Sequence, residues 1–192
     1  NTNGVFDIFE IPTGFVVKQI NCCLSDINVN TVKIGMLHSA ELIYAVLDAL
    51  KNFIQIAQPI LTPNIPEAEI LTGMKINNLK DMKNVGKEII NIGASHVILK
   101  GGHMESEVMT DLLISYSKIH SIETAKVITN NTHGTGCTMA SALSASLAKS
   151  ISIRNSFEIA HKYVNNAIKT TPEFGKGNGP INHCFNINEF IN

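Results

Sequence analysis

The residues best equipped for chemistry lie where the chain turns, in the string NTHGTGCTMASALSASLA at 131–148. His133, Gly134, Thr135, Gly136 and Cys137 lead there from a polar turn into small, helix-forming residues. Two glycines let a backbone bend tightly and come close to a ligand. Free N–H groups at the start of the following helix point at one spot, where the helix dipole favours negative charge. The result is an anion hole suited to a phosphoryl group in transit. Losing one donor from such a hole costs on the order of a hundredfold in rate. It is not a Walker P-loop, because the lysine and Ser/Thr pair of that motif is missing. Two other readings stay open. An isolated G-x-G is more often a plain turn with a buried cysteine. A thiol at a helix N-terminus can also act as base or nucleophile, which with His133 admits a Cys-His hydrolase.

Asn64-Ile65-Pro66-Glu67 sits where a strand hands over to a helix. Glu67 can hold a magnesium ion, directly or through water, with Asn64 orienting the shell. Equally, Glu67 is a favourable acid in a first helical turn. Lys100-Gly101-Gly102-His103 ends another strand. Lys100 can neutralise a phosphate and the glycines leave room for a nucleotide; the alternative is a turn with a solvated lysine. The string GNGP at 177–180 reads as a loop. His183, Met104 and the remaining histidines read as surface or packing residues.

These turns need elements to hold them. Val16, Val17, Ile20, Cys23, Leu24 and Ile27 recur at helical spacing, with the Cys22-Cys23 pair expected to be buried. TVKIG at 31–35 reads as a short strand. Ser39 caps a helix with Glu41 in its first turn and Leu42, Ile43, Val46, Leu47 and Leu50 inward. A strand ends at Thr62, and the helix after it starts at Pro66 and stops at Gly73. Leu79, Met82, Val85, Ile89 and Ile90 mark a further helix, and SHVILK a strand ending at Lys100. A hairpin is expected around 112–115 and 119–122, then a strand at AKVIT, a helix over 136–148 and a last helix over 155–169 with Phe157, Ala160, Val164, Ala167 and Ile168 inward. Alternating strands and helices imply a parallel sheet with helices on its faces. Ligands bind beyond the carboxyl ends of such strands. Gly35-Met36, 62–67, 100–103 and the glycine turn all fall at that edge.

The composition agrees with one globular domain over 1–192: 44% hydrophobic, 16% charged, net charge −1. Nothing in that balance draws the surface to nucleic acid or an anionic membrane. Four cysteines without a C-x-x-C pair fit neither a zinc site nor a thioredoxin motif. They suit a reducing, cytoplasmic setting. The chain starts at Asn1, as a processed product, a fragment or the ordered part of a longer chain would.

Taken together, VKIGML at 32–37, TPNIPEAEIL at 62–71, LKGGH at 99–103, NTHGTGCT at 131–138 and GNGPINH at 177–183 closely resemble the hydroxymethylpyrimidine/phosphomethylpyrimidine kinases of the ribokinase superfamily. Each string is weak alone; the ordered set spans nearly the whole chain. The resemblance implies a three-layer α/β/α sandwich around a mostly parallel sheet. It implies transfer of the γ-phosphoryl of ATP, with Mg2+, to 4-amino-5-hydroxymethyl-2-methylpyrimidine and then to its monophosphate, in thiamine biosynthesis, by a homodimer. By the same resemblance Cys137 stands where most ribokinase relatives carry a catalytic aspartate, and Gly134, Thr135 and Gly136 form the anion hole. Asn64 and Glu67 fall on the magnesium-phosphate motif, and Lys100 on the phosphate-neutralising position. Gly101, Gly102 and Thr132 join them at the nucleotide, and Met36 lines the pyrimidine pocket. A thiol is a poor base, which a loose transition state tolerates.

The chain also departs from that family. The usual N-terminal strand and its glycine-rich SGGAGIQAD segment are absent. So is a strand-loop-helix unit with a D-P-V-M pattern, since KNFIQIAQ at 51–58 is too short to hold it. The loop after His103 is short. A sheet without its first strands exposes unpaired edges, so additional segments beyond these 192 residues are expected; a degenerate paralogue is the alternative. A pyridoxal kinase, or a pyrimidine-binding protein without turnover, would also fit the strings.

Overall fold

The computed structural model describes residues 1–53, 58–102, 104 and 106–187. Its elements run in the order α1 (Thr13–Leu24), α2 (Ala40–Lys51), β1 (Ile60–Leu61), α3 (Ile65–Thr72), α4 (Leu79–Ile92), β2 (His96–Leu99), β3 (Val108–Ser115), β4 (Ile119–Ala125), α5 (Thr135–Ala148) and α6 (Ile153–Lys169).

Alternation along the central strands builds three layers. Successive side chains of a strand point to opposite faces. Val97 and Leu99 of β2, with Leu112 and Ile114 of β3, pack against Met82, Val85 and Ile89 of α4 and Ala68 of α3. Ile98 and Leu113 point the other way, onto Met139 and Leu143 of α5 and Phe157, Ala160 and Val164 of α6. The strands are apolar on both faces because helices cover both. Gly86 belongs to this close fit: any side chain there would run into Ile114.

The sheet is mixed, in the order β1-β2-β3-β4. β1 and β2 pair parallel, Ile60 opposite His96, and a bridge from Asn64 to Lys100 extends that pairing past the strand ends. β2–β3 and β3–β4 pair antiparallel, with Leu99 opposite Leu112 and Leu113 opposite His120. The parallel part is therefore smaller than expected, and two sequence readings account for it. TVKIG at 31–35 forms no strand; Thr31 instead donates to the Ser144 carbonyl (3.1 Å) and accepts from the Ser144 hydroxyl (2.9 Å), fastening the segment to α5. AKVIT likewise contributes only Ala125, the last residue of β4, and the chain then leaves the sheet.

Helix boundaries follow their caps. Ser39 accepts from Leu42 N–H at the start of α2, and Asn78 does the same for Asp81 at the start of α4. Gly73 ends α3 in the left-handed conformation, φ 70°, where glycine avoids the Cβ penalty. In α1, Val16, Ile20 and Leu24 pack half-buried on Leu42, Val46 and Leu50 of α2. Cys22 and Cys23 lie off that stripe and are exposed, not buried as their apolar surroundings in sequence suggest. Ile43 and Leu47 of α2 are exposed for the same geometric reason. Among the described residues no helix is long and apolar enough to cross a membrane.

Candidate active site

A cleft of about 440 Å³ opens where β1, β2 and the start of α5 meet. Asn64 and Glu67 approach from the β1–α3 turn, Lys100 and Gly102 from the end of β2, and Thr132, Thr135 and Gly136 from the glycine turn. Three of the four clusters expected at one sheet edge thus meet. The fourth does not: Met36 is 89% exposed and lines no part of this cleft. His103 lies outside the described residues.

The glycine turn is built as its sequence requires. Gly134 caps α5 with φ 90°, a conformation L side chains rarely adopt. The first α-helical bond runs from Thr138 N–H to the Gly134 carbonyl, 2.9 Å. Thr135 N–H reaches back to the Thr132 carbonyl at 3.3 Å. Early amides of a helix have no partner within it, so those of Gly136 and Cys137 are free to meet an anion. Lys100 brings a positive charge to the same place: a Cβ on Gly136 would stand only 3.1 Å from its Nζ. Cys137, one residue further along α5, is exposed and lies outside the cleft lining.

The loop at 177–180 belongs to this framework. His133 N–H donates to the Gly179 carbonyl (3.1 Å), Ile181 N–H to the His133 carbonyl (3.4 Å), and Gly179 N–H to Asn131 Oδ1 (3.0 Å). The loop is laced to the glycine turn along both chain directions. Asn178 N–H donates in turn to the Thr2 carbonyl, 2.9 Å, which ties the chain start to the same loop.

Asn64 and Glu67 form a reciprocal capping box. Asn64 Oδ1 accepts from Glu67 N–H (2.9 Å) and Glu67 Oε2 accepts from Asn64 N–H (2.8 Å). Both readings of this pair therefore coexist: it starts α3 and faces the cleft. The second carboxylate oxygen of Glu67 has no protein donor among the described residues. A lone carboxylate suits a magnesium ion that keeps much of its water and is held chiefly by nucleotide phosphates. Among the described residues no three acidic, histidine or cysteine side chains gather into an all-protein metal site.

The sequence reading missed several lining residues. Met109, Val127, Met139, Val164 and Ile168 make part of the cleft lining apolar, while Lys126 and Thr129 add polar groups. Asp111 is the notable omission. It is buried on β3, lines the cleft, and accepts the Gly101 N–H on Oδ1 at 2.8 Å. Burial pushes its carboxyl above the ordinary value, opposed by the Gly101 hydrogen bond and by the charges of His161 and Lys100. His161 of α6 is also buried, with Nε2 at 3.6 Å from Asp111 Oδ2 and no hydrogen-bond partner there. Burial pushes its imidazole below the ordinary value, against the pull of Asp111. The signal was present: an acid inside the apolar run VMTDLLIS is out of place unless something needs it.

The family model described as phosphomethylpyrimidine kinase matches residues 1–61 and 48–182. The chain belongs to that family. Its two matched stretches overlap at 48–61, the stretch too short by the sequence reading for the family's strand-loop-helix unit. The hydroxymethylpyrimidine/phosphomethylpyrimidine kinase of Bacillus subtilis is 35% identical over 95% of this chain, which covers 79% of that protein. The thiamine biosynthesis bifunctional protein of Geobacter sulfurreducens is 34% identical over 95% of the chain, which spans 44% of that longer protein. Among solved structures, an ADP complex of Bacillus subtilis pyridoxal kinase superposes with a TM-score of 0.87 at 26% identity, over 93% of this chain and 78% of that one. The family's three-layer architecture is the one described above.

Proposed function

We propose that the protein is a kinase that moves the γ-phosphoryl of ATP to the hydroxymethyl group of 4-amino-5-hydroxymethyl-2-methylpyrimidine, and then phosphorylates the monophosphate to the pyrophosphate. The observation that carries this reading is the meeting of Lys100 with the open N-terminus of α5 in a single cleft. The 35% identity to a kinase named for this substrate supports it.

Each part of the cleft has a role in that transfer. Lys100 and the amides of Gly136 and Cys137 hold the transferring group, whose charge is spread over three oxygens in a loose transition state. Gly134 and Gly136 let those amides approach it. The apolar lining residues Met109, Val127 and Ile168 would take the flat base of the nucleotide, and Gly102 and Thr132, with Gly101 beside them, would border the phosphates. Glu67, with Asn64 behind it, would hold a magnesium ion on the nucleotide, where the ion neutralises phosphate charge. The acceptor oxygen gains the phosphoryl group as the bond to ADP breaks. Its proton passes to the Cys137 sulfur, present as the thiolate, or to an oxygen of the transferred phosphoryl group; Cys137 lies one residue along α5 from the Gly136 amide. Positioning dominates such a reaction, so a weak base suffices.

A pyridoxal kinase is the second reading, favoured by the TM-score of 0.87 to that class of structure. A coupled assay of ADP release with Mg-ATP and either alcohol separates the two. The pyrimidine should give the higher kcat/KM. Preference for pyridoxal would transfer the assignment, and turnover of neither would leave a binding protein.

A further inference from the structure

We propose that Asp111 is the positioning residue of the phosphate-facing lysine: by accepting the Gly101 N–H, it fixes the turn that aims Lys100 at the start of α5. The inference rests on the kinase reading above.

Three contacts define the turn. Lys100 N–H donates to the Pro63 carbonyl at 3.0 Å, and its residue bridges to Asn64, so one side of the turn is tied to the β1–α3 handover. Gly101 N–H donates to Asp111 Oδ1 at 2.8 Å, which ties the other side to β3. Gly101 itself lies so close to the Thr110 carbonyl oxygen that no Cβ fits between them. The turn is thus pulled onto β3 by one residue and left no slack by its neighbour. Without the carboxylate, Gly101 N–H would be a buried donor with no acceptor, and it would leave that position to find one. Lys100 is the adjacent residue and would move with it. A carboxylate is costly to bury, and no apolar residue at 111 could take that amide. Of the buried residues of β3, Leu112, Leu113 and Ile114 are apolar and Asp111 alone carries a charge. His161 completes the surroundings, its Nε2 at 3.6 Å from Asp111 Oδ2 and too distant for a hydrogen bond, so Asp111 remains available to Gly101.

The test is a double-mutant cycle. Asp111→Ala should lower kcat about 10- to 100-fold, the scale of an ångström-level misplacement of a catalytic group. Asp111→Asn keeps an acceptor oxygen and should stay within about fivefold of wild type. In a Lys100→Ala background, Asp111→Ala should cost less than about twofold, because the residue it positions is gone. Equal costs in both backgrounds, or Asp111→Asn as damaging as Asp111→Ala, would overturn the proposal. Should Asp111→Ala fail to fold, Gly101→Ala breaks the same arrangement from the turn side and must show the same non-additivity with Lys100→Ala. If the wild-type protein turns over no alcohol, the kinase reading fails on its own. The cycle is then read in Mg-ATP dissociation constants by calorimetry, where coupling supports the positioning role and additivity rejects it.

Discussion

Replacing Gly136 by alanine should make the protein more stable and less active. Gly136 occupies the first turn of α5 and is not among the glycines with positive φ. Alanine there removes backbone freedom from the unfolded chain and should stabilise by about 0.4–1 kcal/mol. For a domain of this size that raises Tm by about 1–4 °C. The added Cβ, however, stands 3.1 Å from Lys100 Nζ, where ordinary contact begins at 3.4 Å. The ammonium must retreat by at least the difference, about 0.3 Å, and the methyl also narrows the approach to the Gly136 amide. Misplacement of a full ångström costs about a hundredfold, so a loss in kcat of about tenfold is expected. Thermal unfolding and the coupled ADP assay on the same preparation read both effects. A variant that is more stable with unchanged kcat would show that neither Lys100 nor the Gly136 amide meets the transferring group. A variant that loses both stability and activity would show that the glycine is needed for the backbone alone.

Other substitutions separate roles that overlap in one residue. Glu67→Gln keeps the capping box, since glutamine accepts the same Asn64 N–H, so Tm should hold while the magnesium needed for half-maximal rate rises; an unchanged magnesium titration would confine Glu67 to the helix start. Asn64→Ala should cost about 1 kcal/mol of stability through the lost cap, read as a Tm drop of about 2–4 °C. If Cys137 serves the acceptor alcohol, as proposed, Cys137→Ala should lower kcat more than it weakens ATP binding; equal losses would contradict that role. His161 predicts a pH effect. Its folded-state value lies below 6.5 because of burial, so on acidification the unfolded chain takes up the proton first and stability falls from about pH 6.5 downward. His161→Gln should flatten the fall in Tm between pH 7.5 and 5.5, and identical slopes would refute the assignment.

Much of this molecule could be read from residue types and spacing. The cap at Ser39 and the stop at Gly73 follow from local hydrogen-bonding chemistry, which tertiary structure leaves in place. The stripes of α4 and α6 follow from helical periodicity. What the sequence hid depends on partners far along the chain. TVKIG has the β-branched composition of a strand, yet has no neighbouring strand among the described residues and is fastened to α5 through Thr31. AKVIT ends its pairing at Ala125 for a similar reason. Cys22 and Cys23 carry apolar character but fall outside the α1 stripe that meets α2. In the cleft, the glycine turn, Lys100 and Glu67 were legible because each sits at a strand-to-helix junction or a strand end. Asp111 stood out only as an acid in an apolar run; its partner, the Gly101 amide ten residues away, is a contact no periodicity encodes.

The central claim is that the amides at the start of α5 and the ammonium of Lys100 grip the phosphoryl group as it moves. A crystal structure with a non-hydrolysable ATP analogue and the pyrimidine alcohol tests it most directly. The terminal phosphate is expected within hydrogen-bond distance of the Gly136 or Cys137 N–H and of Lys100 Nζ, with the alcohol oxygen facing Cys137. A terminal phosphate bound away from that turn, with Lys100 unengaged, would contradict it.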